Sequence, residues 1–441
     1  MGDDKGTDCS LPLTAAQLGI WFSAAVNSDK STFNIVEYSK ICGPVDFGRL
    51  SSAIRRVAAA TSVFHTSFLV RDGIPRQYRS VREIELEIVD FSLDPHCDAS
   101  AEQWILRDSR TITEINQGEL YRLALIRLSK GSVIIYIRCH HVLIDQYGIR
   151  LVLESIDAAY KREESLLSLD AVSQWNGYAG VVHEDALYHA SNRRATDGKF
   201  WREHLEGFSR FSLSDKFDSA FETGVTIRHS FELTEDLNLS IEQIASSEKL
   251  NWSRLGVAFI IAYLQRASGS KDLTISLLYR NRDEKSRHVP AMLVNTLPLR
   301  IRVEGKESIA TIGHRIDEAI CLLKEYGRFP GYEIDRLVGT ESRGFGPIVN
   351  IVADSYASLF NSQISDTVNF NIGPVSDFSF HIYRREKRTV VHLRAKASLY
   401  THSEVVRHAL RLQRLLAAVA SDPGMAIGDI DVLSPDERRQ L

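Results

Sequence analysis

A run of β-branched and aromatic residues, Val133-Ile134-Ile135-Tyr136-Ile137, leads through Arg138 and Cys139 into His140 and His141, and Asp145 follows shortly after. Such a run favours an extended strand. The strand is expected to carry both imidazoles to the mouth of a sheet, where a substrate can reach them. A neutral imidazole, with an unperturbed pKa of about 6.5, can take a proton from an amine or hydroxyl near neutral pH. The plainer alternative is a strand end with one histidine bonded in the core, and one short motif does not choose between the two.

Around this strand, helical and strand patterns alternate rather than falling into blocks, which predicts α/β layers. Asp46 to Ala59 has apolar residues at helical spacing, and Arg82 to Val89 alternates as a strand. A helix at Ala101 to Thr111, strands at Leu120 to Leu128 and Ser132 to Arg138, and a helix from Tyr147 through Glu163 complete a first lobe. Ser173 to Leu205 is polar, aromatic and charged, and reads as a bridge. The second lobe is expected to hold strands at Val225 to Leu233, Leu273 to Leu278, Leu297 to Val303, Ile348 to Ala353, Phe378 to Tyr383 and Thr389 to Ala397. Helices are expected at Glu235 to Ser247, Arg254 to Arg266 and Ser403 to Ala420, the last burying Val406, Leu410, Leu412, Leu415 and Leu416. The implied domains are 1–175, a bridge at 176–205, and 206–430, with 431–441 as the start of a linker.

Composition narrows the function classes. The chain has 441 residues, 44% hydrophobic and 25% charged, enough for two packed lobes. A net charge of −4 leaves no basic footprint for nucleic acid. Cys9, Cys42, Cys97, Cys139 and Cys321 have no metal-ligand spacing and suggest neither zinc nor a disulfide framework, so a reducing, cytoplasmic setting is expected. The apolar run Leu255 to Leu264 is about half a membrane span and reads as part of an amphipathic helix. The polar start MGDDKGTDCS does not resemble a signal peptide, and Asn251-Trp252-Ser253 reads as an accidental glycosylation sequon.

Further strings point to a family. HHVLID (His140 to Asp145) resembles the HHxxxDG signature of nonribosomal peptide synthetase condensation domains, within the chloramphenicol acetyltransferase-like superfamily. Leu11 to Phe22 (LPLTAAQLGIWF) resembles the opening motif, and Thr61 to Phe68 (TSVFHTSF) the second, with His65 where an arginine is usual. Phe200-Trp201, Met292 to Arg300 (MLVNTLPLR), Gly344 to Ile351 (GFGPIVNI) and Gly373 to Phe378 (GPVSDF) follow in order, the late ones much as in enterobactin-type domains. The tail DIDVLSPDERRQL resembles the linker to an adenylation domain, although Ser434-Pro435 is also an ordinary helix cap.

The resemblance implies two acetyltransferase-like lobes in a V-shaped pseudo-dimer, with the histidine loop at the floor of a tunnel. It implies amide-bond formation between an acyl thioester and an aminoacyl or iminoacyl thioester, each tethered to a carrier protein. Tethering raises effective concentration, so positioning supplies much of the acceleration. His141 is the residue marked as catalytic, either as a general base or as a hydrogen-bonding group that orients the amine. His140 shares the catalytic motif but is expected to be structural, because successive strand residues point to opposite faces. Asp145 is expected to shape the site through an arginine, with Arg280 the first candidate partner and Arg282 the fallback. Asn350 is expected either to donate to the developing oxyanion, to fix the acceptor, or to bond its own loop.

Two departures stand out. Gln146 replaces the glycine that usually follows the aspartate, with Gly148 the next glycine, and adds bulk near the site. His65 removes a permanent charge. The enterobactin-type likeness suggests an aryl donor, such as a hydroxybenzoyl or anthraniloyl group, on an aryl carrier protein. Expected partners are that donor carrier, a downstream acceptor carrier and an adenylation domain, in siderophore or antibiotic biosynthesis. No cofactor or metal is expected on this chain, which should be monomeric; the phosphopantetheine arms belong to the carriers as substrates. The alternatives are an acyltransferase acting on a small diffusible amine or alcohol, and a non-catalytic docking module. No epimerization-type second motif is present, and the histidine pair is not replaced by the aspartates of heterocyclization domains.

Overall fold

A computed structural model describes residues 10–80, 82–116, 119–162, 170–216, 226–339, 344–352, 359–362, 364–385 and 388–439. The chain forms two compact α/β units. The first comprises 1–194, 280–294 and 356–374, and the second 195–279, 295–355 and 375–441. Neither unit is continuous in sequence, unlike the lobes expected from the motifs: two later segments return to the first unit, and the tail after 430 packs as part of the second.

In the first unit, Val133–His140 is the middle strand of a sheet ordered Ile364–Ile372, Asn34–Ile41, Val133–His140, Tyr121–Arg127, Glu87–Asp90. Every residue of Val133–His140 is buried. The period-2 alternation of a strand explains why an unbroken apolar run is needed. Ile135, Ile137 and Cys139 join Leu50, Ile54 and Val57 of helix Phe47–Ala60 and Ile149, Val152 and Ile156 of helix Gln146–Lys161. Ile134 and Tyr136 meet Trp104 and Ile105 of helix Cys97–Ser109 on the other face. Each such burial is worth roughly 1.5–3 kcal/mol. A small second sheet orders Leu11–Pro12, Ile74–Arg79 and Thr66–Arg71.

In the second unit the sheet order is Asn295–Arg302, Asp272–Tyr279, Ile348–Val352, Phe378–Arg385, Arg388–Lys396, Thr226–Glu232. Ile348–Val352 runs parallel to both neighbours. It is preceded by Gly346, at φ +151°, where a Cβ would stand 2.1 Å from the Thr274 carbonyl oxygen, so position 346 has no room for a side chain. Trp201 is fully buried and its indole donates to the Tyr326 carbonyl at 3.1 Å, while Phe200 stacks on Tyr326 with centroids 3.7 Å apart.

Several expectations need correction. Arg82 to Val89 is a strand only over Glu87–Asp90. The polar stretch Ser173 to Leu205 is two helices, Ala171–His189 and Asn192–His204, whose charged residues outnumber a sparse buried set of Tyr178, Val182, Tyr188 and Trp201. Helix Trp252–Ser268 is buried on all sides over Leu255 to Gln265, so it is a core helix and not an amphipathic one. Helix His402–Ser421 buries Val405, Ala409, Leu412, Leu415, Leu416 and Val419, and leaves Leu410 exposed. Helices Ala15–Val26 and Ile309–Tyr326 and strand Asn34–Ile41 were not anticipated. The expected ends at Glu163, Val225 and Ala353 lie outside the described residues, as does Cys9.

Candidate active site

The end of strand Val133–His140 separates the two histidines. The last strand pair matches His140 with Asn34. The His140 ring is fully buried, stacks on Phe33 with centroids 6.0 Å apart, and accepts at Nδ1 from the Val142 backbone N–H at 3.1 Å. Burial, with His141 and Arg138 nearby, pushes its pKa down to about 3. The ring is therefore a neutral structural group, with Nδ1 as acceptor.

His141 begins the turn. Its backbone N–H donates to the Phe33 carbonyl at 2.7 Å, and Val142, Leu143 and Ile144 follow with no exposure. Three buried aliphatic residues in a turn fix its path by packing. The His141 side chain is only partly covered; Nδ1 is buried without a hydrogen-bond partner, and the Nε2–Cδ2 edge lies beside Gly373. A Cβ on Gly373, at φ +100°, would come 3.3 Å from Cδ2 and 3.7 Å from Nε2. Burial lowers the His141 pKa below its ordinary value, against the opposing pull of Asp145 and the carbonyls of His141 and Ile144. At neutral pH the ring is uncharged and keeps a lone pair.

Asp145 is nearly inaccessible and caps helix Gln146–Lys161 through the Gly148 N–H at 2.8 Å. Arg282 grips the carboxylate with both terminal nitrogens, Nη1 to Oδ2 at 2.8 Å and Nη2 to Oδ1 at 2.9 Å. The Leu293 and Val294 N–H groups donate to Oδ2 at 3.1 and 3.0 Å. Burial alone would raise the carboxyl pKa, but the guanidinium and amides outweigh it and hold it below the usual range. With its oxygens accepting these five hydrogen bonds, Asp145 is a fixed anion and is poorly placed to abstract a proton.

The partner is thus Arg282, the fallback, and not Arg280. Arg280 stands over the Tyr147 ring at 5.2 Å, and Arg282 at 4.7 Å. Segment 280–294 belongs to the first unit, so the arginine and the start of MLVNTLPLR both serve the histidine loop from there. Gly148 fits because a Cβ would meet Ile144 at 2.5 Å. Gln146 opens the helix, and its side-chain nitrogen is buried without a partner. Asn350 lies in strand Ile348–Val352, paired in register with His381, and makes no side-chain hydrogen bond among the described residues; it sits in a strand and not in a loop. His65 donates from Nε2 to the Ala59 carbonyl at 2.8 Å, near the end of helix Phe47–Ala60.

Sequence reasoning missed Gln17. It donates from Nε2 to the Val142 carbonyl at 3.1 Å and accepts at Oε1 from the Thr14 N–H at 2.9 Å and Gln77 Nε2 at 3.0 Å. The signal was present as Thr14-x-x-Gln17, a capping box at the start of helix Ala15–Val26. The tail also forms a capped turn, with the Glu437 N–H on Ser434 Oγ at 3.0 Å and Arg411 on Glu437 at 2.9 Å. Among the described residues no cluster of three or more His, Cys, Asp or Glu could hold a metal, and no helix is long and apolar enough to cross a membrane. Among the described residues Cys42, Cys97, Cys139 and Cys321 form no disulfide.

The HHxxxD turn thus holds one uncharged imidazole beside a carboxylate saturated by its own partners. The family described as Condensation domain matches residues 8–441, and the chain belongs to that family. Condensation domains catalyse amide-bond formation of the acyltransferase type. The chain is 27% identical over its whole length to a dimodular nonribosomal peptide synthase of Bacillus subtilis (strain 168), and 24% identical over 98% of its length to enterobactin synthase component F of Escherichia coli (strain K12). It spans 19% and 34% of those proteins. Among solved structures, the first condensation domain of the CDA synthetase overlays with a TM-score of 0.85 at 23% identity, over 97% of this chain and 100% of that one. A variant of the starter condensation domain of rhizomide synthetase, in complex with C8-CoA and Leu-SNAC, does so with 0.85 at 22%, over 97% and 98%.

Proposed function

We propose that this chain joins an acyl group on one carrier protein to an aminoacyl or iminoacyl group on another, with an aryl acyl group such as hydroxybenzoyl or anthraniloyl as donor. The observation that carries the reading is the uncharged His141 imidazole, its Nε2–Cδ2 edge beside Gly373, next to a carboxylate that is saturated by its own partners. The acceptor nitrogen attacks the thioester carbonyl, the new C–N bond forms, and the C–S bond breaks as the tetrahedral centre collapses. His141 accepts the ammonium proton, or holds the amine in line by a hydrogen bond, and the thiolate leaves to be protonated. Asp145 holds the loop and supplies a fixed negative charge.

The relatives are multidomain synthetases, which supports carrier proteins and an adenylation domain as partners and a cytoplasmic setting. The aryl donor rests on the likeness of the late motifs to enterobactin-type domains, and a fatty acyl donor, as in the rhizomide complex, is the competing choice. The test is amide formation with carriers loaded with 2,3-dihydroxybenzoyl, anthraniloyl or octanoyl donors and a panel of aminoacyl acceptors. Product with the aryl donors, lost in His141→Ala, is expected. Octanoyl as the sole productive donor would move the donor class. Equal product from wild type and His141→Ala would remove the catalytic assignment.

A further inference from the structure

Away from the histidine loop, the first unit contains a cavity of about 760 Å³ whose lining includes none of His141, Asp145 or Arg282. Phe64, Phe68 and Tyr121 give it an apolar wall, and Arg138 lies at the floor. The Arg138 side chain is 4% exposed; its Nε donates to Asp108 Oδ2 at 2.8 Å, and its Nη1 is buried with no partner. Asp108 also accepts from Arg122 at 2.6 Å, and Arg122 in turn donates to Glu87 at 2.7 Å. Two guanidiniums against two carboxylates make the floor neutral overall, with Arg138 Nη1 left unpaired. A buried donor without an acceptor is unfavourable, so an oxygen is wanted there.

The mouth has the opposite character. Glu83, Glu85 and Glu119 are exposed around it against Arg82, while Glu114 is taken by Lys30 at 2.5 Å. Burial, with Cys139, Glu119 and Glu85 adding to it, pushes the Tyr121 phenol up to about 12. With Glu83, Glu85 and Glu119 against Arg82, the mouth carries net negative charge. An anion would be repelled at the entrance and would gain no net charge at the floor.

We propose that this cavity is a second ligand site, for a small organic amine: the ammonium at Glu85 and Glu119, an aromatic or aliphatic body against Phe64, Phe68 and Tyr121, and a hydroxyl or carbonyl oxygen accepting from Arg138 Nη1. Calorimetry of the full chain with three probes of one skeleton tests it: tyramine, neutral 4-ethylphenol and anionic 4-hydroxyphenylacetate. Tyramine should bind, 4-ethylphenol more weakly, and the anion not at all. Ser67→Trp, which fills the lining without removing a hydrogen bond, should abolish binding. Glu85→Gln and Glu119→Gln, both at exposed positions that folding tolerates, should each weaken tyramine about two- to fivefold and flatten its salt dependence. No heat with any probe, equal binding of the anion, or tyramine affinity unchanged in both glutamine variants would overturn the proposal.

Discussion

The first unit holds two buried aspartates gripped by arginine, and they do different things. Asp108 is bound by Arg138, Arg122 and the Tyr136 hydroxyl, groups from the sheet that its own helix Cys97–Ser109 covers. Asp145 is bound by Arg282 and by the amides of Leu293 and Val294, which come from a segment far along the chain. The first pairing fastens a helix to its sheet. The second ties a remote segment to the turn that begins with His141, so its loss should reach the chemistry.

The largest effect should come from removing either guanidinium. Arg282→Ala and Arg138→Ala each leave a buried carboxylate short of a partner, at a cost of about 3–5 kcal/mol, readable as a fall in the denaturation midpoint. Only Arg282→Ala should also abolish amide formation under conditions where the chain remains folded. Arg282→Lys should restore part of the stability but little of the rate, because an ammonium cannot reproduce the two-pronged grip. Equal activity loss in both alanine variants would erase the distinction.

Acid should act on a similar scale, but only as the pH falls toward 3. His140 has a folded pKa of about 3 against about 6.5 when unfolded, so the unfolded chain binds more protons between these values. Stability from this group is therefore complete above pH 6.5 and declines as pH falls toward 3, by a total on the order of 5 kcal/mol. Asp145, with its pKa depressed, adds a further loss below the ordinary carboxylate range. His140→Phe should flatten the upper part of that decline. The rate has a separate limb: the depressed pKa of His141 should keep the enzyme active below pH 6.5, and a limb at or above 6.5 would count against a buried catalytic imidazole.

Glycines give a finer cut. Gly148→Ala forces a Cβ against Ile144 and should cost about 1–3 kcal/mol. Gly373→Ala strains a positive-φ residue by a similar amount and crowds the Nε2 edge of His141 as well. Both variants should melt lower, but Gly373→Ala should lose more activity per degree of melting temperature.

How far the sequence could be read follows from the range of each interaction. The strand into His140 was plain because burial on both faces demands an unbroken apolar run. Helices Ala171–His189 and Asn192–His204 were hidden because a few buried rings, Tyr178 and Trp201 among them, anchor segments otherwise dominated by polar residues. The Asp145 partner was legible only as a choice of two arginines, since Arg280 and Arg282 differ in where the backbone aims them and not in chemistry. Gln17 and Gly373 were visible as motif letters without a role, because each acts through a contact made by distant chain.

The smallest expected effect concerns Gln146. Its side-chain nitrogen is buried without a partner at the first residue of the helix that Asp145 caps. Gln146→Gly removes that unsatisfied donor, worth about 1–3 kcal/mol, and adds backbone freedom that costs about 1 kcal/mol, so the net stability change should be within about 2 kcal/mol. Because the glutamine enters the same turn as His141, its loss should alter the preference among acceptors more than the overall rate. Amide yields across an acceptor panel that keep the same ranking in Gln146→Gly would show that Gln146 belongs with Asp108, on the structural side of the comparison.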